Sequence, residues 1–330
     1  MTLSPELWIN YGRDNRYEKI INKFMKTEHR IADYDKAGYK YEKYWTDQAI
    51  NRAYEDLAER LAISRMIPDS GNWFLDLGAG YGRLADLYVN RFLNVIIADY
   101  SLENLKKAQI RLGNQTLGSQ IHFVALNAYH LPFKNEALDA VMMVRVLHHL
   151  EEPEDVLSEV FRILSPDGAL ILEFSNKRHL LEIFRGIFGA SSLNPFSFEP
   201  EMRGDLFYNF HPEFIRRLLK KIGFEKQRWL SVSNLRHRIF KKLLGVRIMK
   251  MLESSLQKIF AYPKLGPSIF VRSQKPVAKN VAIPAPTLQD LLCCPNCSIF
   301  PLTIYPNEIV CPNCNKSYHI VEGIYDLRIS

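Results

Sequence analysis

Leu75-Asp76-Leu77-Gly78-Ala79-Gly80-Tyr81-Gly82, followed by Asp99 at the end of the next apolar run, is the stretch that decides the fold. Phe74, Leu75 and Leu77 read as the end of a buried strand. Glycines at every second position then make a tight turn, because a residue without a side chain lets backbone or ligand approach closely. A helix is expected next, over residues 83–91. Asn94-Val95-Ile96-Ile97-Ala98 reads as a second buried parallel strand ending at Asp99. That sets a carboxylate beside the glycine turn, where it can accept hydrogen bonds from two ribose hydroxyls. The pattern points to an adenosine-containing cofactor lying over the strand ends.

Dinucleotide enzymes use Gly-x-Gly-x-x-Gly, with a helix N-terminus facing a pyrophosphate. Here the third glycine comes one position early and Asp76 precedes the turn. An acid there repels a pyrophosphate and suits a cationic ligand. S-adenosylmethionine carries an ammonium and a sulfonium and no phosphate. The residues 76–82 resemble the first motif of the class I S-adenosylmethionine-dependent methyltransferases, in particular the branch that includes quinone-biosynthesis enzymes. Asn127-Ala128-Tyr129-His130-Leu131-Pro132-Phe133 resembles that family's adenine-contacting segment. Residues 139–150 are similar to its fourth strand, and Leu164-Ser165-Pro166-Asp167-Gly168-Ala169-Leu170 to the turn into its fifth. The likeness is close over residues 71–174 and looser to 272. Asn127 stands where the family usually has Asp; an amide still accepts from the adenine amino group and can donate to a ring nitrogen.

The resemblance implies a Rossmann-like α/β fold: a mostly parallel sheet with helices on both faces, plus a helical lid. Hydrophobic runs alternating with amphipathic ones agree. Strands are expected at 73–77, 94–99, 121–126, 140–144 and 169–174, and helices at 44–66, 83–91, 102–112 and 153–164. Beyond 174 the alternation breaks: helices are expected at 180–188 and 212–221, a sixth strand opens at 223–225, and a last strand spans 268–272. The expected domains are an N-terminal helical segment (1–70), the methyltransferase domain (71–273, with lid insertions at about 178–222 and 232–266), a proline-bearing linker (274–288) and a small C-terminal domain (289–330).

A chain of 330 residues, 47% hydrophobic and 24% charged, can bury a large core. It holds no apolar run of 18 residues, so no transmembrane helix is expected. The opening Met1-Thr2-Leu3-Ser4-Pro5-Glu6 lacks a signal-peptide pattern, and the five cysteines are spaced for metal rather than disulfides, so a cytoplasmic location is expected. Residues 236–264 hold eight basic residues and a single acid, Glu253, a charge equal to the whole chain's +7.

Cys294-Pro295-Asn296-Cys297 and Cys311-Pro312-Asn313-Cys314 repeat one tetrapeptide. Two such pairs offer Cys294, Cys297, Cys311 and Cys314 as tetrahedral ligands to one structural zinc, with no open position for catalysis; a redox dithiol or an empty remnant are the alternatives. A domain this small needs the metal for its folding energy. Cys293 falls outside the matched spacing. Leu291-Leu292 and Tyr318, Ile320, Val321-Glu322-Gly323-Ile324 and Leu327 resemble the zinc-ribbon activator subunit of tRNA and protein methyltransferases, with His319 where proline is usual. That likeness implies docking on this chain's own domain or on a partner protein; a stabilising appendage is the alternative.

In methyl transfer the cofactor brings electrophile and leaving group, and the protein positions the acceptor and excludes water. Asp99 is expected to hold the ribose, Asp76 to face the cofactor ammonium or cap the turn, Gly78, Gly80 and Gly82 to admit the cofactor and pack the helix, and Tyr100, Asn127 and Ala128 to flank adenine. His148 and His149 are candidate bases or strand-end caps. Arg145 could hold an acceptor anion or pair with Glu151 or Glu152. Aromatic residues of the lid suit a small or lipid-like acceptor, or simply fill the lid. The basic segment suits an anionic membrane, RNA, or solvent. Three readings stand: methyl transfer to a small or lipid-like acceptor, methylation of RNA gripped by basic segment and ribbon, and a non-catalytic cofactor-binding scaffold for a partner.

Overall fold

A computed structural model describes residues 35, 45, 49–113, 118–191, 193–203, 207–277 and 286–329. The expected N-terminal segment lies outside these up to Ala49, apart from Asp35 and Trp45, as does most of the linker.

Helix α1 (Ala49–Met66) leads into β1 (Gly71–Leu77), β2 (Phe92–Asp99), α2 (Leu102–Gly113), β3 (Gln120–Ala125) and β4 (Leu138–Met143). Then come α3 (Pro153–Ile163) and β5 (Leu164–Ser175). β3, β2, β1, β4 and β5 lie side by side and parallel, in that order. Alternation along β1 explains the two covering layers. Trp73, Leu75 and Leu77 point to the face covered by α3, while Phe74 points to the face covered by α1 and α2. Both sets are fully buried, as expected for a parallel sheet sandwiched by helices.

After β5 come α4 (Leu180–Ile187), the short hairpin β6 (Glu201–Met202) and β7 (Tyr208–Asn209), and α5 (Pro212–Ile222). β8 (Glu225–Val232), α6 (Arg238–Leu243), α7 (Val246–Ile259) and β9 (Ser268–Gln274) follow. β9 runs antiparallel to β5, and β8 antiparallel to β9. The hairpin was not legible in the sequence. It is pinned by the buried Lys177, whose Nζ donates to the Glu199 carbonyl and, at 2.7 Å, to Glu201.

Two expectations are corrected. Residues 83–91 form only a 3-10 turn at Ala85–Leu87. The segment winds tightly through i→i+3 bonds, such as Tyr88 N–H to the Ala85 carbonyl. Tertiary anchors hold it there: Arg83 pairs with Asp56 and Glu59, and Tyr88 reaches Asp76. The basic segment was expected in a lid, yet α7 joins the layer covering one sheet face. Met249 and Leu256 pack with that core, and buried Glu253 accepts from the Tyr54 hydroxyl and from the Ser233 and Asn234 N–H groups.

The tail continues the sheet. Helix α8 (Leu288–Leu291) precedes β10 (Thr303–Ile304), β11 (Glu308–Val310), β12 (Ser317–Val321) and β13 (Ile324–Asp326). The last pairs parallel with β3, with Ile324, Tyr325 and Asp326 opposite Phe123, Val124 and Ala125. Glu322 and Gly323, both at positive φ, turn β12 into β13. His319 sits in the regular ladder of β12, opposite Glu308 and Asp326.

Candidate active site and metal centre

The glycine turn sits at the carboxyl end of β1. Gly78, Gly80 and Gly82 all have φ between 57° and 78°, where a side chain is strained. A Cβ on Gly78 would stand 2.2 Å from Val146 Cγ2, so the turn also packs against the end of β4. The Gly78 and Ala79 N–H groups donate to the Ala98 carbonyl, and the Gly80 N–H to Asp99 Oδ2 at 2.8 Å. The other oxygen of Asp99 accepts from the Ser101 N–H at 2.9 Å. Asp99 therefore ties the turn to β2 and keeps lone pairs on both oxygens for further donors.

Asp76 is buried and accepts the Tyr88 hydroxyl. Burial pushes its carboxyl up to about 7, with Asp99 adding to the rise and the Tyr88 bond opposing it. Asn127 is buried, and its Oδ1 accepts the Tyr129 N–H at 3.0 Å, which leaves its NH2 as a donor. Ala128 is half-buried beside it. Tyr100 is half-buried, with the guanidinium of Arg328 5.4 Å from its ring centre. Arg328 also donates to the Tyr100 carbonyl at 3.1 Å and is held by both oxygens of Asp326. No signal in the sequence singled out Arg328.

Arg145, two residues past β4, sits at φ 62°, unusual for a bulky residue. Among the described residues its side chain pairs with Glu59 of α1, Nε to Oε1 at 2.7 Å, where Glu151 or Glu152 was expected. Burial raises the Glu59 carboxyl, and Arg145 and Arg83 outweigh it and hold the group below its usual range. The Arg145 N–H donates to Glu173 Oε2 at 2.9 Å. Glu173, which looked like ordinary strand in the sequence, is buried and also accepts the Ser268 hydroxyl; burial raises its carboxyl. His148 is buried between His149 and Phe207, ring centres 4.1 and 4.3 Å away. Its Nδ1 has no hydrogen-bond partner among the described residues. Burial, with help from His149 and Arg145, holds it well below the ordinary histidine value, so it is a neutral imidazole at pH 7. His149 is half-buried beside it.

In the tail, the thiols of Cys294, Cys297, Cys311 and Cys314 all lie within 4.8 Å of one another. The Cys294–Cys314 and Cys297–Cys311 sulfurs are 3.7 and 3.5 Å apart. Thiolates about 2.3 Å from a tetrahedral zinc stand roughly 3.8 Å apart, so the donor set fits a metal ion. Both knuckles are built alike: Ser298 and Asn315, four residues beyond Cys294 and Cys311, have positive φ and donate N–H to those cysteines' carbonyls. Cys293 is outside the cluster, and burial raises its thiol to about 11.

The cysteine cluster and the strand ends share one body. Leu288, Leu291, Leu292, Cys294 and Cys311 belong to the same core as Tyr129, Leu131 and Phe133. The Lys134 N–H donates to the Leu291 carbonyl, the Cys293 N–H to that of Pro132, and the Leu327 N–H to that of Ala125. The tail thus clamps residues 125–134 from both ends.

Residues 75–172 match the family model of the methyltransferase domain. The chain is 29% identical over 175 residues to a demethylmenaquinone methyltransferase of Renibacterium salmoninarum, covering 50% of this chain and 70% of that protein. It is 28% identical over 196 residues to the ubiquinone/menaquinone biosynthesis C-methyltransferase UbiE of a Marinomonas species, covering 54% of this chain and 76% of that one. Among solved structures, a methyltransferase of Thermotoga maritima, described as a possible histamine N-methyltransferase, aligns at TM-score 0.48 and 19% identity. It covers 71% of this chain and 96% of that one. The family match, the relatives and the sheet with its glycine turn make this chain a class I S-adenosylmethionine-dependent methyltransferase. It carries in addition a C-terminal four-cysteine cluster able to hold a metal ion.

Proposed function

We propose that the chain transfers the methyl group of S-adenosylmethionine to a small, lipid-like acceptor, with zinc in the four-cysteine site. The observation that carries the cofactor reading is Asp99 bonded to the glycine turn at the strand ends. In this reading Asp99 takes the ribose hydroxyls, Gly78 and Gly80 admit the cofactor, and Tyr100, Asn127 and Ala128 wall the adenine. The cationic end of the cofactor lies toward Asp76, which its charge would ionise. The bound cofactor supplies the electrophilic methyl group. The chain orients the acceptor for in-line attack and excludes water around it.

The acceptor reading is supported by the relatives, whose names specify quinone biosynthesis. It is also supported by Phe207, which lies against His148 beyond the end of β4. Neutral His148 can accept a proton from an acceptor hydroxyl or activated carbon, although its depressed basicity makes it a weak base. Arg145, paired to Glu59, ties α1 to the strand ends.

Protein incubated with methyl-labelled S-adenosylmethionine and cell extract, then separated into organic-soluble, nucleic-acid and protein fractions, tests this reading. Label in the organic-soluble fraction is expected. Label confined to nucleic acid would replace the acceptor class, and cofactor binding without label anywhere would favour a scaffold.

A further inference from the structure

Seventeen of the twenty-three exposed large apolar side chains among the described residues lie between positions 180 and 262. Phe188, Leu243 and Tyr262 are 80, 75 and 93% exposed. A monomeric soluble protein rarely concentrates such side chains in one region without a partner for them. The region also carries the chain's excess positive charge. No carboxylate among the described residues stands within ion-pair distance of Arg247, Lys250 or Lys258, while Lys241 is held by Glu55. α4 and the basic segment meet in space: the Leu180 N–H donates to the Leu265 carbonyl, Arg178 to that of Pro263, and Arg236, Arg185 and Arg203 all act on His179. This surface borders the strand ends, because Ser175 pairs with Ser268 at the carboxyl end of β5.

We infer that α4, α6 and α7 form a docking surface for an anionic lipid bilayer. Apolar side chains among unpaired cations match an interface of acyl chains under anionic headgroups. Charge complementarity favours this occupant over a second copy of the chain, whose identical surface would bring like charges together. Phe207 joins the surface to the site: it is 37% exposed and its ring packs, tilted by 33°, against buried His148. A lipid-like acceptor could thus pass from the bilayer to the strand ends without crossing water. That delivery step rests on the acceptor reading above; the docking itself does not.

The test is flotation of the full-length chain with phosphatidylcholine vesicles, with and without 30% phosphatidylglycerol. Binding is expected to need the anionic lipid and to weaken as salt rises from 50 to 500 mM. With roughly fivefold per cation, Arg247→Glu with Lys258→Glu is expected to weaken binding at least 20-fold. Phe188→Asp and Leu243→Asp, one in each segment, are each expected to weaken it several-fold, with cofactor affinity by calorimetry unchanged. No recovery on anionic vesicles, or equal binding by all four changes, would overturn the proposal. So would a self-association in sedimentation that Phe188→Asp and Leu243→Asp abolish, assigning the surface to a second copy. Vesicle binding without lipid methylation would leave docking standing and remove the lipid-like acceptor. Methylation of a lipid-like acceptor without vesicle binding would do the reverse.

Discussion

At Asp76 a carboxylate with an ordinary value of 3.8 is lifted to about 7, first by burial and then by Asp99. The native state therefore holds a proton that the unfolded chain has already lost between these values, so stability falls as pH rises from about 4 to 7. Asp76→Asn removes that slope: its stability relative to the parent is expected to increase over this window, by at most roughly 4 kcal/mol, in urea unfolding at pH 4.5, 6 and 7.5. A constant difference would mean that Asp76 ionises normally. Asp99→Asn keeps the shape but loses charge-assisted bonds to ribose, and is expected to weaken S-adenosylmethionine binding by about 1.5–3 kcal/mol, read by calorimetry. Gly78 was legible as a turn glycine; that its missing side chain makes room for Val146 was not, since the two are distant in sequence. Gly78→Ala is expected to cost about 2–4 kcal/mol of stability through the clash and the positive φ, with partial rescue by Val146→Ala.

Among the elements, the parallel strands were readable because a strand buried on both faces is a continuous apolar run. The 3-10 turn after the glycines was not, because its winding follows from the reach of Arg83 to Glu59 and of Tyr88 to Asp76. The same holds for Arg145: its partner, Glu59, is 86 residues away and visible only in three dimensions. The clamp on residues 125–134 yields the prediction at this scale. Stripping metal with a strong chelator is expected to unfold β10 to β13, raise amide exchange at residues 123–134 and weaken cofactor binding several-fold, while α1 and β1 keep their protection. Cofactor affinity unchanged in metal-free protein would show that this segment holds itself.

Among the described residues, the tail extends the main sheet through the pairing of β13 with β3. Removing residues 286–330 would bare the edge of β3 and the apolar side chains of Tyr129, Leu131 and Phe133, which share a core with the tail. The truncated chain is expected to aggregate in light scattering at concentrations where the full chain does not. A soluble truncation with unchanged melting temperature would make the tail a mere appendage. The sequence by itself determined the parallel strands, the cofactor class and the four cysteines that cluster, since each is written in local spacing: apolar runs, alternate glycines, paired cysteines. Only the tertiary structure decided where the tail docks, which acid Arg145 meets, and that the basic segment covers the sheet while its outer face mixes exposed apolar side chains with cations. These depend on contacts between residues far apart in the chain, and local spacing carries no record of them.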